Sequence, residues 1–426
     1  METDSYDNPL TTTSSAASAA FDDGARHILQ STYGAREAFE AAVKADPGFA
    51  LGHVGVARGL MAEARSAEAK AAWARASELA SGVTDRERDH IAIIGLVLEG
   101  KSAAARSAVR AYVRDYPRDP LIAQLCASVF GLIAFSGEVA HEEELLTYTT
   151  QLLPHYGEDW WMLTAHAISL CETGQIAASQ AMMDRALELN PLNANAAHFK
   201  AHGQYEAGET AAGRAFLDDW AQGYDRRGNL TGHLTWHIAL WALQDGDTEA
   251  MWHAIEGTLR PGAPQLGGAL PINTLTDMVS LLHRAALAGH AVPNEMWAMM
   301  SRYASEHFPL PGQSFADLHA ALAHAMAGEG ERLAILTETT NGFAGDLVAP
   351  VARAFGAVAR GNWEDALNDL ARILPEADRF GGSRAQRDLV ELSHAQVLLR
   401  LGHTEEARRA LKLRRPVIGP RLPLAA

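Results

Sequence analysis

Helical hairpins stacked on one another, an all-α fold, are what this chain predicts, and three observations carry the prediction. From Phe21 onward apolar residues recur at i, i+3, i+4 and i+7, which gathers them on one face of a helix with 3.6 residues per turn. No run of alternating β-branched residues interrupts them. A period of 34 residues repeats through the middle, over 158–191, 192–225 and 228–261.

Taken in order, residues 1–20 are rich in Ser, Thr and Ala and read as a flexible N-terminal arm. Residues 21–153 read as N-terminal helical repeats, with a clear helix-turn-helix over 46–79. Residues 154–261 hold the central repeats. Each has a helix, a turn containing Gly174, Gly208 or Gly246, and a second helix. Four residues after those glycines stand Ala178, Ala212 and Ala250, small enough to let paired helices approach closely. Residues 262–415 continue the array. They are irregular over 262–313, where RPGAPQLGGALP and HFPLPGQS are dense enough in Pro and Gly to end helices. Helices are still expected near 273–288 and 293–307, and second helices after Gly361 and Gly402. Residues 416–426 form a tail. A 34-residue helix-turn-helix period is the tetratricopeptide signature. One such repeat cannot bury its own apolar face, so neighbours stack into an α-solenoid superhelix with a concave groove.

Composition narrows the function. With 426 residues the chain exceeds a single compact core of about 250–300 residues. A formal net charge of −16 repels phosphate backbones, so neither nucleic acid nor an anionic membrane is an expected partner. The basic stretch KLRRP near the end reads as a helix C-terminus complementing its dipole. Two cysteines without motif spacing, Cys126 and Cys171, argue against a disulfide framework and for a reducing compartment. The acidic opening METDSYDNPL has no apolar signal region, and the apolar stretch from Leu121 is too short to span a bilayer of ~30 Å. A cytoplasmic protein is expected.

The chemistry concentrates in two His-x-x-x-His pairs, His198/His202 and His233/His237, 35 residues apart. Residues four apart share one helix face, with Cβ atoms roughly 5–6 Å apart. Both pairs fall on first helices of successive repeats, which places them about one helix spacing, ~8–10 Å, from each other. Such imidazoles suit a divalent transition metal ion, with His319 or Asp317 as a further ligand. Without a metal, the same groups suit acid–base work near neutrality, Asp317 or Asp388 orienting an imidazole and Arg387 clamping an anionic substrate. Trp236, beside His237, is a candidate groove wall. No phosphate loop, dinucleotide fingerprint or CxxC knuckle is present, so no nucleotide cofactor is indicated.

Several stretches resemble the tetratricopeptide repeat protein 38 family: NPLTTTSSAASAAFD, TDRERDHIAI, NAAHFKAH, HLTWHIALWALQDGDTEAM, FADLHAALAHA and GGSRAQRDL. The last is the most specific, with Gly381, Gly382, Ser383, Ala385, Gln386, Arg387 and Asp388 on the family's pattern. The resemblance implies an all-helical repeat array. It also places His53, His90, His198, His202, His233, His237 and His319 on family histidine positions, and Asp317 on an aspartate. One departure is visible, since the family's Trp-His-Trp is Trp236-His237-Ile238 here. Ser383 is a good N-cap for the helix that follows. In a ligand-binding role His53, His90, Trp236, Gln386, Arg387 and Asp388 would line the site.

The leading reading is recognition of a ligand, peptide or partner protein in a histidine-rich concave groove. The alternative is an enzyme using His198, His202, His233, His237 and His319, with Asp317 and Arg387, on a small polar or anionic substrate.

Overall fold

Glycines set the ends of the central helices. Trp160–Glu172 pairs with Ile176–Leu189, Ala194–Ala207 with Thr210–Ala221, and Thr231–Gln244 with Thr248–Ala254, which runs on as a π turn over Ile255–Leu259. Between partners, Gly174, Gly208 and Gly246 take φ of 82°, 69° and 76°. This left-handed backbone closes a helix at no steric cost only for glycine. The hairpins therefore turn where the 34-residue period puts them. The computed structural model describes residues 2–265, 267–417 and 424.

Outside the centre the same grammar holds. Ala50–Ala62 and Ser66–Leu79 form the early hairpin, Gly345–Arg360 and Trp363–Ile373 a late one, and Arg384–Arg400 and Thr404–Arg414 the last. In the irregular stretch, Pro271–Leu287 and Asn294–His307 are full helices, as the spacing predicts. Among the described residues no helix is long and apolar enough to cross a membrane. The fold is all-α and of tetratricopeptide type.

The chain divides into two compact units that do not follow the three sequence blocks 21–153, 154–261 and 262–415. One comprises Met1–Ile133, Glu142–Lys200 and Tyr224–Leu230, the other Ala134–His141, Ala201–Gly223 and Thr231–Ala426. Packing rather than chain order decides membership. Tyr224 belongs to the first unit because its hydroxyl donates to Ser31 O at 2.6 Å. In that unit Phe21 meets Phe39 and Phe49 edge-on at 5.5 and 5.4 Å, so three rings fill the space between the first helices. In the second, Trp236, Trp241, Phe315 and Phe355 are fully enclosed. The close approach of helices there falls at Gly213, where a Cβ would lie 2.6 Å from the Trp241 ring.

The arm expected over 1–20 is not loose. Glu2–Thr3 pairs antiparallel with Pro9–Leu10, and a helix already begins at Ser15. Its Ser and Thr residues act as caps and tethers: Ser14 accepts from Ala17 N, Thr11 N donates to Glu87 at 2.8 Å, and Thr12 Oγ1 to Asp46 at 2.6 Å. Leu10 is fully buried. Of the tail expected over 416–426, residues 418–423, 425 and 426 lie outside the described residues.

Candidate metal centre

Helix Ala194–Ala207 carries His198 and His202 one turn apart, and helix Thr231–Gln244 carries His233 and His237 likewise. The periodicity that makes these repeats puts both pairs on inward faces. His202, His233 and His237 belong to the second unit, and His198 stands one turn earlier on the same helix as His202. One ring nitrogen from each of the four lies within 4.8 Å of the others. The His202 ring meets His237 edge-on at 4.6 Å and His233 at 6.2 Å, while His233 and His237 are 5.0 Å apart. The expected convergence of the two pairs is therefore seen. The four are only 1–5% exposed, so they form a buried cluster.

A group absent from the sequence argument completes the arrangement. Asp277, from helix Pro271–Leu287, accepts from His233 Nδ1 at 2.8 Å. Facing a carboxylate, Nδ1 is the donor of that bond, and Nε2 is the nitrogen on the far side of the ring. The second carboxylate oxygen, Oδ2, is buried without a hydrogen-bond partner. Trp236 lies flat on His233, ring centres 5.0 Å apart and planes 14° from parallel, and its Nε1 donates to Ser280 Oγ at 3.0 Å. Rather than walling a groove, Trp236 is fully buried behind the histidines.

Burial disfavours charge on two of these rings, His202 and His237. Burial pushes His202 well below the ordinary imidazole range, and the neighbouring His233 acts in the same direction. His237 is lowered in the same way by burial, His202 and His233. Burial raises Asp277, and His233 offsets part of the rise. Neutral imidazole is the form that binds a metal ion. A tetrahedral ion with Zn–N bonds of ~2.0–2.1 Å needs nitrogens roughly 3.3 Å apart, closer than the 4.8 Å within which these four lie. A carboxylate on the far nitrogen of a ligating histidine is the usual outer-shell partner. The donor set fits a zinc-class ion.

The other predicted residues lie elsewhere. Asp317 accepts from Gly312 N at 2.9 Å and ties the loop to its own helix; burial lifts it to about 6, with that N–H pulling the other way. His319 Nδ1 bonds Phe315 O, one turn back, at 2.7 Å. Among the described residues the four-histidine group includes neither. His53 is held by Pro47 O at 3.0 Å. His90, in the first unit, bonds Asp119 at 2.9 Å, and the same oxygen accepts from Arg86 and Tyr112 at 2.7 Å each. Ser383 and Gln386 form a capping box at the start of Arg384–Arg400. Arg387 donates to Gly382 O. Asp388 accepts from Tyr205 OH at 2.7 Å and pairs with Arg415. Catalytic partners for the histidines are thus not assembled from Asp317, His319 and Arg387.

No family model matches the chain. The chain is similar to the human IFIT1 dimer with m7Gppp-AAAA at 15% identity, covering 95% of this chain and 91% of that one, with a TM-score of 0.46. The human IFIT1 dimer with PPP-AAAA is similar at 13% identity, 94% and 91% coverage and a TM-score of 0.46. The APC/C hetero-tetramer Cut9–Hcn1 follows at 10% identity, 95% and 87% coverage and 0.36. The tetratricopeptide-type assignment rests on this chain's own 34-residue helix pairs.

Proposed function

We propose that this repeat protein binds a divalent transition metal ion of the zinc class at His198, His202, His233 and His237. The observation that carries the reading is the approach of four buried ring nitrogens to within 4.8 Å. The Asp277 bond to His233 supports it, because a buried carboxylate with one oxygen unpaired is costly beside neutral groups and favoured beside a cation. A bound ion supplies a Lewis-acid centre and a link between two repeats. The chain's own residues do the positioning: Asp277 fixes the tautomer of His233, Trp236 holds its ring plane, and burial keeps His202 and His237 unprotonated. Such enclosure favours an ion or small ligand over a peptide. Membership of the tetratricopeptide repeat protein 38 family belongs to the same proposal, supported by the capping box that GGSRAQRD builds. A reducing cytoplasm is the proposed compartment, on the buried thiols Cys126 and Cys171.

Titration of tag-free protein with Co²⁺ tests this. One equivalent should produce the visible absorption of a nitrogen-ligated ion, and His202→Ala/His237→Ala should abolish it while far-UV dichroism stays helical. Failure of folded wild-type protein to bind Co²⁺, or equal binding by the double variant, overturns the proposal.

A further inference from the structure

Arg284 is a buried cation whose hydrogen-bond partners carry no formal charge. It is 5% exposed, its two Nη atoms donate to Ser280 O at 3.3 Å and Ala385 O at 2.7 Å, and its Nε has no hydrogen-bond partner. It forms no ion pair among the described residues. Asp388 feels its charge but makes its close ion pair with Arg415. Buried charges are ordinarily paired, because an uncompensated one costs several kcal/mol or more.

The same side chain lines a partly enclosed cavity in the second unit, with Tyr205, Gln244 and four leucines, Leu240, Leu243, Leu287 and Leu392. Leu424 also lines it, and the free space left beside it is about 20 Å³, little more than one water. Charge and shape agree. The walls want hydrocarbon, the one formal charge on them is positive, and a guanidinium favours carboxylate geometry.

We propose that this cavity binds a short aliphatic carboxylate. Its head group meets the Arg284 guanidinium, and its hydrocarbon lies among the leucines in the place of Leu424. None of the cavity residues is a histidine of the metal centre, so the proposal goes beyond that reading and fails or stands separately from it. An alcohol of the same shape fills the walls but leaves the cation uncompensated. The corresponding amine adds a second positive charge and is repelled.

Calorimetric titration of the full chain with isovalerate, 3-methylbutan-1-ol and isopentylamine tests it. Isovalerate should bind at least tenfold more tightly than the alcohol, and the amine should not bind. Leu424→Gly should tighten isovalerate severalfold by clearing the cavity, and Leu392→Trp should abolish binding by filling it. Arg284→Met should remove the preference for acid over alcohol. Because that variant can misfold, the acid-to-alcohol comparison on the wild type and on Leu424→Gly decides alone. Equal affinity for acid and alcohol, or no isovalerate binding to Leu424→Gly, overturns the assignment.

Discussion

At His202 and His237, desolvation by burial outweighs every other influence on protonation, and the neighbouring rings push the same way. The sign follows directly. A lowered imidazole stays neutral to lower pH than an ordinary one, so protons compete less there with a metal ion. Two ordinary imidazoles of pKa ~6.5 would weaken binding roughly tenfold between pH 7.5 and 6. This pair should lose less than that, which calorimetry in buffers of different ionisation enthalpy reads as reduced proton release from these two rings. Asp277→Asn should weaken metal affinity by about 10–100-fold, the usual effect of losing an outer-shell carboxylate, with helicity unchanged. The two histidine pairs were legible because i, i+4 spacing fixes a face before any fold is known. Asp277 was not. Its signal was a polar stripe at i, i+3 and i+7, Asp277, Ser280 and Arg284, in a helix that also carries Asn273, Thr274, Thr276 and His283.

Helices begin and pack through contacts that single substitutions can probe. Ser383→Ala removes the hydroxyl of the capping box and should cost about 1 kcal/mol, measured by urea denaturation. At Gly59, in Ala50–Ala62, two effects oppose each other. Alanine gains roughly 1 kcal/mol of helix propensity. However, its Cβ would lie 2.7 Å from the backbone Cα of Arg36, which cannot swing aside as a side chain would. Overpacking typically costs about 1–3 kcal/mol, so Gly59→Ala should be net destabilising in the same assay. The helix pairs were readable because glycine turns and a fixed period are local properties. The N-terminal residues were not, because a Ser/Thr-rich composition describes both a solvated arm and a row of caps. Only the partners Glu87, Asp46 and Arg86 distinguish the two, and they lie far along the chain.

Across the whole chain, repeat stacking accounts for how the buried histidine centre forms. Successive hairpins bring equivalent positions together, so two histidine pairs one repeat apart become a single cluster. The period says which residues face inward but not how far Trp236 and its neighbours enclose them. If the cluster holds an ion, binding must stabilise the fold, by about 2.7 kcal/mol at a free-metal concentration a hundred times the Kd. A chelator should reverse the gain in thermal unfolding.

The most direct test is metal content by plasma mass spectrometry on tag-free protein, wild type beside His202→Ala/His237→Ala, each loaded with one equivalent of Zn²⁺ and dialysed. The account predicts near-stoichiometric zinc in the wild type and little in the variant. Zinc lost from the folded wild type on dialysis, or retained equally by both proteins, would contradict it.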